Sequence, residues 1–207
     1  MLQTGLSHIQ NWSFTETDEA LVSAFVERWY PETNSFHFSW GEISITLHDV
    51  KLIMGFAING VKVIGVEMSN SDLKDWVQNN YRMTEEEMGQ VFVKKYQIHL
   101  TKWRELLQRR INADVGGQDA NIIAIGYLVE LLGSTLFMDK SGTNISLETF
   151  RAVMNMDYVN ESSWAAAVLA NTYRQLGMAS RHDVAQIAGC PDLLHVSIHT
   201  LYHQLTS

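Results

Sequence analysis

The chain has 207 residues, of which 46% are hydrophobic and 18% are charged, and its formal net charge is −8. This length suits one large domain or two small ones, and the acidic balance argues against a general nucleic-acid-binding protein, because phosphate recognition needs clustered Lys and Arg. The single cysteine excludes an internal disulfide, and with no signal peptide or membrane-spanning stretch in view we expect a protein of the cytosol or nucleus.

The first predicted elements are a helix and a β-hairpin. Apolar side chains recur at helical spacing over residues 21–29, where Thr15 or Thr17 can cap the helix and Pro31 ends it. Residues 36–47 then alternate with a period of two on either side of a Gly-containing turn, which is typical of a hairpin. A hairpin alone is marginal in water, so we expect this one to pack on helices.

Capping boxes mark the next helix starts. Thr46 and Asp49 can satisfy each other's free backbone amides, and Gly55 can end that helix in a left-handed conformation. Residues 84–87 repeat the capping pattern, and residues 61–66 read as a short strand after an Asn-Gly turn.

From residue 71 onward the pattern is helical almost to the end. The predicted helical stretches are residues 73–77, 88–96, 103–111, 121–137, 146–153 and 164–178, with a final helix after Pro191. Residues 121–137 are apolar on most sides, which indicates a buried central helix. The sequence therefore predicts an α+β fold that is predominantly α-helical, with a small N-terminal β-hairpin or sheet on a multi-helix core, in a single domain over residues 1–207.

Three histidines and one cysteine near the C-terminus are the strongest candidates for chemistry. His195, His199 and His203 are four residues apart on one helical face, a spacing that zinc sites use, but a straight helix spreads the outer two too far for one ion. Cys190 lies at a helix start, yet a lone thiol among apolar neighbours is typical of a buried hydrophobe. We therefore predict no catalytic residue, no metal site and no cofactor.

Two loops supply candidate contacts for a partner. Trp40 stands in the hairpin turn, whereas the other tryptophans lie on or beside apolar helix faces, so it is the best single candidate. Asp139 and Lys140 belong to a tight turn that ends in Gly142, and we assign them to the same partner-binding role.

A basic region provides the alternative. Its cations are Lys94, Lys95, Lys102, Arg104, Arg109 and Arg110, and Glu105 is the only acid among them. Such a run is typical of a solvated helix face, but it can also form a phosphate-binding patch.

Three blocks of sequence carry a family resemblance. They are LVSAFVERWYPETNSFHFSWGEISITLHDVKLIMGFAINGVKVIG at residues 21–65, LVELLGSTLFMDKSGTNIS at 128–146 and SSWAAAVLANTYRQLGMASRHDVAQIAGCPDLLH at 162–195. In their order and spacing, over close to half of the chain, they resemble the plant mobile domain of MAIN and MAIN-like proteins and of plant transposons. Val196 and Ile198 stand where the family usually has aromatic residues. Family domains also extend further, so we expect this chain to lack the C-terminal part.

The resemblance implies a function without an enzymatic site. It implies a nuclear protein linked to transposable-element silencing, gene expression and meristem maintenance, with a plant phosphatase of the PP-seven type, or a phosphatase-like protein, as partner. We therefore predict a non-catalytic protein-interaction domain. The alternatives are a transposon-derived nucleic-acid binder that uses the basic region, and an unrecognised hydrolase or metal enzyme.

Overall fold

The structure, a computed structural model, describes residues 18–94, 97–114, 117, 119–138, 142–181, 193–198 and 200. The chain divides into two compact units, of which the first comprises residues 1–63 and 160–207 and the second residues 64–159. Helices predominate, and the described residues form two three-stranded antiparallel sheets, one of them N-terminal. The predicted fold class is confirmed. The assignment of residues 1–207 to a single domain stays a prediction.

The first unit holds the N-terminal sheet. Its elements are α1 (Glu19–Val26), β1 (Trp29–Tyr30), β2 (Ser35–Phe38), β3 (Gly41–Ile43), α2 (Leu47–Met54) and α9 (Trp164–Ala179), and residues 193–198 are also helical. The strands pair antiparallel in the order β1-β2-β3, with Phe36 opposite Ile43 and Phe38 opposite Gly41. The predicted hairpin is therefore confirmed, but its turn is only Ser39 and Trp40, and its second strand ends at Ile43 and not at residue 47, where α2 begins.

Helix α1 differs from its prediction at both ends. Its N-cap is Asp18, whose carboxylate accepts a hydrogen bond from the backbone N–H of Leu21 at 3.0 Å, and not Thr15 or Thr17. The helix ends at Val26, because Trp29 pairs with β2 in the sheet and does not continue the helical face.

Helix α2 begins and ends where the sequence predicts. Thr46 and Asp49 form the reciprocal capping box, and Gly55 adopts the left-handed conformation at φ 73°. The predicted strand at residues 61–66 is wrong. Val61 makes one isolated parallel bridge to Ser162, and the residues after it have no strand partner within the described chain.

The second unit contains a sheet that the sequence did not reveal. Its elements are α3 (Asn70–Tyr81), α4 (Glu85–Val91), β4 (Phe92–Lys94), β5 (Gln97–His99), α5 (Leu100–Ala113), α6 (Ala120–Thr135), β6 (Asn144–Ser146) and α7 (Leu147–Val153). The boundary between the two units falls within α8 (Met156–Glu161). The capping box at Thr84 is confirmed, but the helix ends at Val91 and not at residue 96. The chain there turns into β4, where Phe92 pairs with Ile98 of β5. Ile98 pairs in turn with Ile145 of β6, and both isoleucines are fully buried.

An aromatic cluster forms the core of the second unit. Trp103 of α5 lies edge-on to Tyr81 at 4.7 Å and to Phe150 at 5.0 Å between ring centroids. Its indole N–H donates to the carbonyl of Gly126 at 3.2 Å. The Tyr81 hydroxyl donates to the carbonyl of Ile122 at 2.7 Å, so both polar atoms of the cluster are satisfied on α6.

Burial of Tyr81 predicts a loss of stability in alkaline solution. Burial raises the pKa of this phenol well above its ordinary value, and the positive charge of Arg110 offsets only part of that rise in pKa. In the unfolded chain the phenol ionises near pH 10. The stability that the neutral phenol contributes is therefore complete below about pH 10 and is lost as the pH rises above it.

We expect the free energy of unfolding to fall above about pH 10 by up to 1.4 kcal/mol per pH unit more in the wild-type protein than in Tyr81→Phe. Denaturant titrations at a series of pH values measure this difference. Tyr127→Phe, which alters an exposed phenol, is the control and should keep the wild-type slope. Equal slopes for wild type and Tyr81→Phe would contradict the expectation.

Candidate functional site

The described residues do not gather a metal site. Among them, no group of three or more His, Cys, Asp and Glu side chains is placed to hold a metal ion. His195 accepts a hydrogen bond at Nδ1 from the backbone N–H of Asp18 at 3.3 Å. His199, His203 and Cys190 lie outside the described residues, so the expectation of no metal and no catalytic group stays a prediction. None of the helices described has the length and apolar character needed to cross a membrane.

The cations of the basic region that the structure describes are each paired with a carboxylate. The pairs are Lys102 with Glu105 at 2.7 Å, Arg104 with Glu130 at 2.6 Å, Arg109 with Glu87 at 3.0 Å, and Arg110 with Asp119. Arg110 is only 4% exposed, so a phosphate cannot reach it without a rearrangement. The side chain of Lys94 and all of Lys95 lie outside the described residues.

These pairs weaken the case for a phosphate-binding patch. A protein gains affinity for a polyanion when its free Lys and Arg side chains neutralise phosphates and the counterions condensed on the polyanion are released into solution. Here it would first have to displace carboxylates that already contact the same cations. The nucleic-acid alternative stays a prediction.

The N-terminal sheet presents Trp40 on a firm support. Trp40 is 56% exposed, and its indole stacks on Phe38 with ring centroids 4.9 Å apart and planes 11° apart. Phe38 packs edge-on against Phe25 of α1 at 5.4 Å, and the guanidinium of Arg28 lies 5.9 Å from the centre of its ring. A ring held in this way loses little conformational entropy on binding, which is the property of an interface anchor.

The opposite face of β2 carries a second exposed ring and a polar network. Tyr30 is 50% exposed and stacks on His37 at 4.0 Å between centroids. The hydroxyl of Ser35 donates to Glu42 at 2.9 Å and lies 2.7 Å from that of Thr33, while His37 Nε2 is 3.3 Å from the same Glu42 oxygen. The side chains of successive strand residues point to opposite faces, so Ser35 and His37 lie on the face of the sheet opposite to that of Phe36 and Phe38.

This network does not have the arrangement of a hydrolytic site. A serine nucleophile must reach the substrate, but Ser35 is only 6% exposed and its hydroxyl is held by a hydrogen bond to Glu42. The bonds join β2 to β3 across the hairpin. Sequence reasoning missed Tyr30 and His37, although the period-two alternation of residues 36–38 was a signal that could have found the second face.

One of the three predicted partner-binding residues can be located. Trp40 lies in the turn that the sequence indicated and is exposed there. Asp139 and Lys140 lie outside the described residues. Their assignment to a partner surface stays a prediction.

Comparisons with known proteins relate this chain to plant sequences. The sequence profile of the plant mobile domain matches residues 5–204. Protein MAINTENANCE OF MERISTEMS of Arabidopsis thaliana is 32% identical over 178 residues, which are 86% of this chain and 36% of that protein. The Arabidopsis protein named Serine/threonine-protein phosphatase 7 long form homolog is 30% identical over 189 residues, 91% of this chain and 14% of that protein.

A further Arabidopsis relative, Protein MAIN-LIKE 1, is 28% identical over 193 residues, which are 93% of this chain and 37% of that protein. The chain therefore spans between about a seventh and somewhat more than a third of the length of each of these relatives. No solved structure matches it.

Proposed function

The chain belongs to the plant mobile domain family, and from this premise we propose that it is a non-catalytic protein-interaction domain of a nuclear protein of the MAIN-like type. Its proposed partner is a plant phosphatase of the PP-seven type or a phosphatase-like protein. The complex would act in transposable-element silencing, gene expression and meristem maintenance.

One observation carries this proposal. The stretch that matches this chain covers 36% of a relative named for the maintenance of meristems and 14% of a relative named as a phosphatase homolog. A region shared by proteins with such different names, and covering a minor part of each, is typical of a module that supplies binding and not the reaction itself.

The chemistry of the described residues supports a binding role. Metal-dependent hydrolysis of a phosphate ester commonly uses carboxylates and imidazoles that bring two metal ions together. Within the described chain several such side chains instead serve caps, ion pairs and the hydrogen bonds of the hairpin, as with Asp49, Glu87 and Glu42. Trp40 offers what interface anchors share, a large exposed ring on a rigid support.

We expect Trp40→Glu to weaken binding to a purified PP-seven-type phosphatase by about tenfold or more while the fold stays intact, since a charge replaces an apolar anchor at an exposed position. Isothermal titration calorimetry measures the affinity, and circular dichroism checks the fold. Tyr127→Glu is the matched control, because Tyr127 is 51% exposed and lies in the second unit. Unchanged affinity of a folded Trp40→Glu variant counts against Trp40 as the contact.

The nucleic-acid alternative is tested separately by a gel shift at increasing salt. The proposal expects weak binding to DNA and RNA. Tight binding that falls steeply with salt, and that is lost when Arg104 and Arg109 are replaced by Gln, would overturn it in favour of the basic region.

A further inference from the structure

An open groove runs along one face of α9 in the first unit. It has a volume of about 590 Å³, within the range of known ligand sites. Pro31 and Asn34 of the β1–β2 turn form one wall, and Tyr173, Arg174, Gly177 and Arg181 are among the residues that line the other. The lining positions on this side recur every three or four residues on one face of the helix from 170 to 178, and Arg181 follows just beyond the helix end, so this wall is roughly 16 Å long. That length fits about five residues of extended peptide.

The floor of the groove is low because residue 177 has no side chain. A Cβ atom at Gly177 would stand 3.4 Å from Cβ of Pro31 and 4.0 Å from the indole nitrogen of Trp29. A longer side chain would fill the space between the helix and the turn. The indole N–H of Trp29 is buried beside this floor and has no hydrogen-bond partner among the residues that the structure describes.

The walls of the groove are fixed before any ligand binds. The Tyr173 hydroxyl donates to the carbonyl of Ile45 at 2.5 Å and lies 3.1 Å from the hydroxyl of Ser44. The same Ser44 hydroxyl bonds to the carbonyl of Asn34 at 2.5 Å, and Asn34 holds a left-handed backbone at φ 51°. A site with ordered walls pays little entropy on binding.

Two arginines of the groove are available to an anion. Arg174 is exposed and has no ion-pair partner among the described residues. Arg181 lies 3.8 Å from Glu32, with both side chains more than 60% exposed, so water screens this pair. The described cations of the basic region differ, because each is within 3.0 Å of a carboxylate. A carboxylate can therefore bind these two guanidiniums without displacing a close partner.

We propose that this groove binds an extended acidic peptide. Its carboxylates would pair with Arg174 and Arg181, an apolar side chain would lie over Gly177 and Met178, and the side-chain amide of Asn34 would bond to the peptide backbone. The proposal rests on the proposed function in one respect, that the domain binds proteins. It adds a second surface and the chemistry of its ligand, and it does not depend on Trp40.

Fluorescence anisotropy with a labelled hexapeptide of alternating Glu and Leu tests the proposal. We expect saturable binding to the whole chain, and no measurable binding when Gln replaces each Glu of the peptide. Arg174→Glu and Arg181→Glu should each weaken binding by about tenfold or more, since a repulsive charge replaces an attractive one. Gly177→Met should weaken it without any change of charge, because the new side chain fills the floor.

Lys62→Glu is the matched control, since Lys62 is exposed in the same unit and the substitution changes the net charge equally. It should alter the affinity by less than about twofold. Equal weakening by Lys62→Glu, or no saturable binding of the acidic peptide to the wild type, would overturn the proposal. So would tighter binding of a single-stranded oligonucleotide that the two arginine variants abolish.

The two proposals fail in different ways. If the phosphatase binds through Trp40 and the acidic peptide does not bind, the groove proposal alone is wrong. If the peptide binds the groove and no PP-seven-type phosphatase binds the domain, the proposed function is wrong in its partner and the groove remains a peptide site.

Discussion

Trp103→Ala should lower the free energy of unfolding by about 3–5 kcal/mol, the range for removal of a fully buried large aromatic side chain. The indole has no exposed surface and contacts both Tyr81 and Phe150 through ring edges. The substitution also removes the donor to the carbonyl of Gly126, which would be left buried without that bond. Denaturant titration gives the change, and hydrogen exchange of α5 and α6 shows whether it lies in the second unit.

Two variants separate the causes of this loss. Trp103→Phe keeps a ring but removes the N–H donor, so it should cost less than Trp103→Ala. Trp76→Ala is the matched control on α3, where the indole is half-buried and 6.4 Å from Tyr81 between centroids. We expect a loss of about 1–2 kcal/mol there, in proportion to the smaller buried area. A loss at Trp103 no larger than at Trp76 would show that the aromatic cluster is not the main core.

Gly60→Ala should destabilise the first unit by about 3 kcal/mol or more, because a methyl group has no room at this position. A Cβ atom would stand 2.6 Å from the carbonyl oxygen of Glu161 and 2.8 Å from the amide nitrogen of Ser163. Both groups belong to the bridge in which the N–H of Val61 donates to Glu161 at 2.9 Å and that of Ser163 to Val61 at 2.8 Å. These neighbours are backbone, so they cannot move aside without breaking the bridge.

Gly41→Ala provides the control for backbone strain alone. Gly41 has φ +154° against +137° for Gly60, but no heavy atom lies within 4 Å of its hypothetical Cβ. Its substitution should cost about 1 kcal/mol. Thermal unfolding followed by circular dichroism compares the two variants. If they lose equal stability, strain in the backbone and not the close approach of residues 161–163 explains the effect.

The basic region illustrates why a cluster in sequence is not yet a surface. Its cations are neighbours along the chain, yet Arg104 contacts Glu130 of α6 and Arg109 contacts Glu87 of α4. These acids are distant in sequence, so the run of Lys and Arg gave no indication of them. The arginines of the groove show the reverse. Arg174 and Arg181 form no conspicuous basic run, but the fold places both beside one cavity.

The amino-acid sequence determined the features that depend on a few neighbouring residues. The capping boxes at Thr46 and Thr84, the left-handed end at Gly55 and the exposed hairpin turn at Trp40 all follow from hydrogen bonds and steric limits within about four residues. The same local patterns, in their order and spacing, were enough to indicate the family.

Tertiary structure alone decided the rest. The second sheet joins β5 to β6 across two helices, and Val61 finds its partner about a hundred residues further along the chain. The floor of the groove forms where Gly177 of α9 packs against Pro31, and no pattern of neighbouring residues in the sequence relates those two positions. Such contacts are fixed by which buried faces pack together, and that choice depends on the combined burial of the whole unit and not on the preference of any short segment.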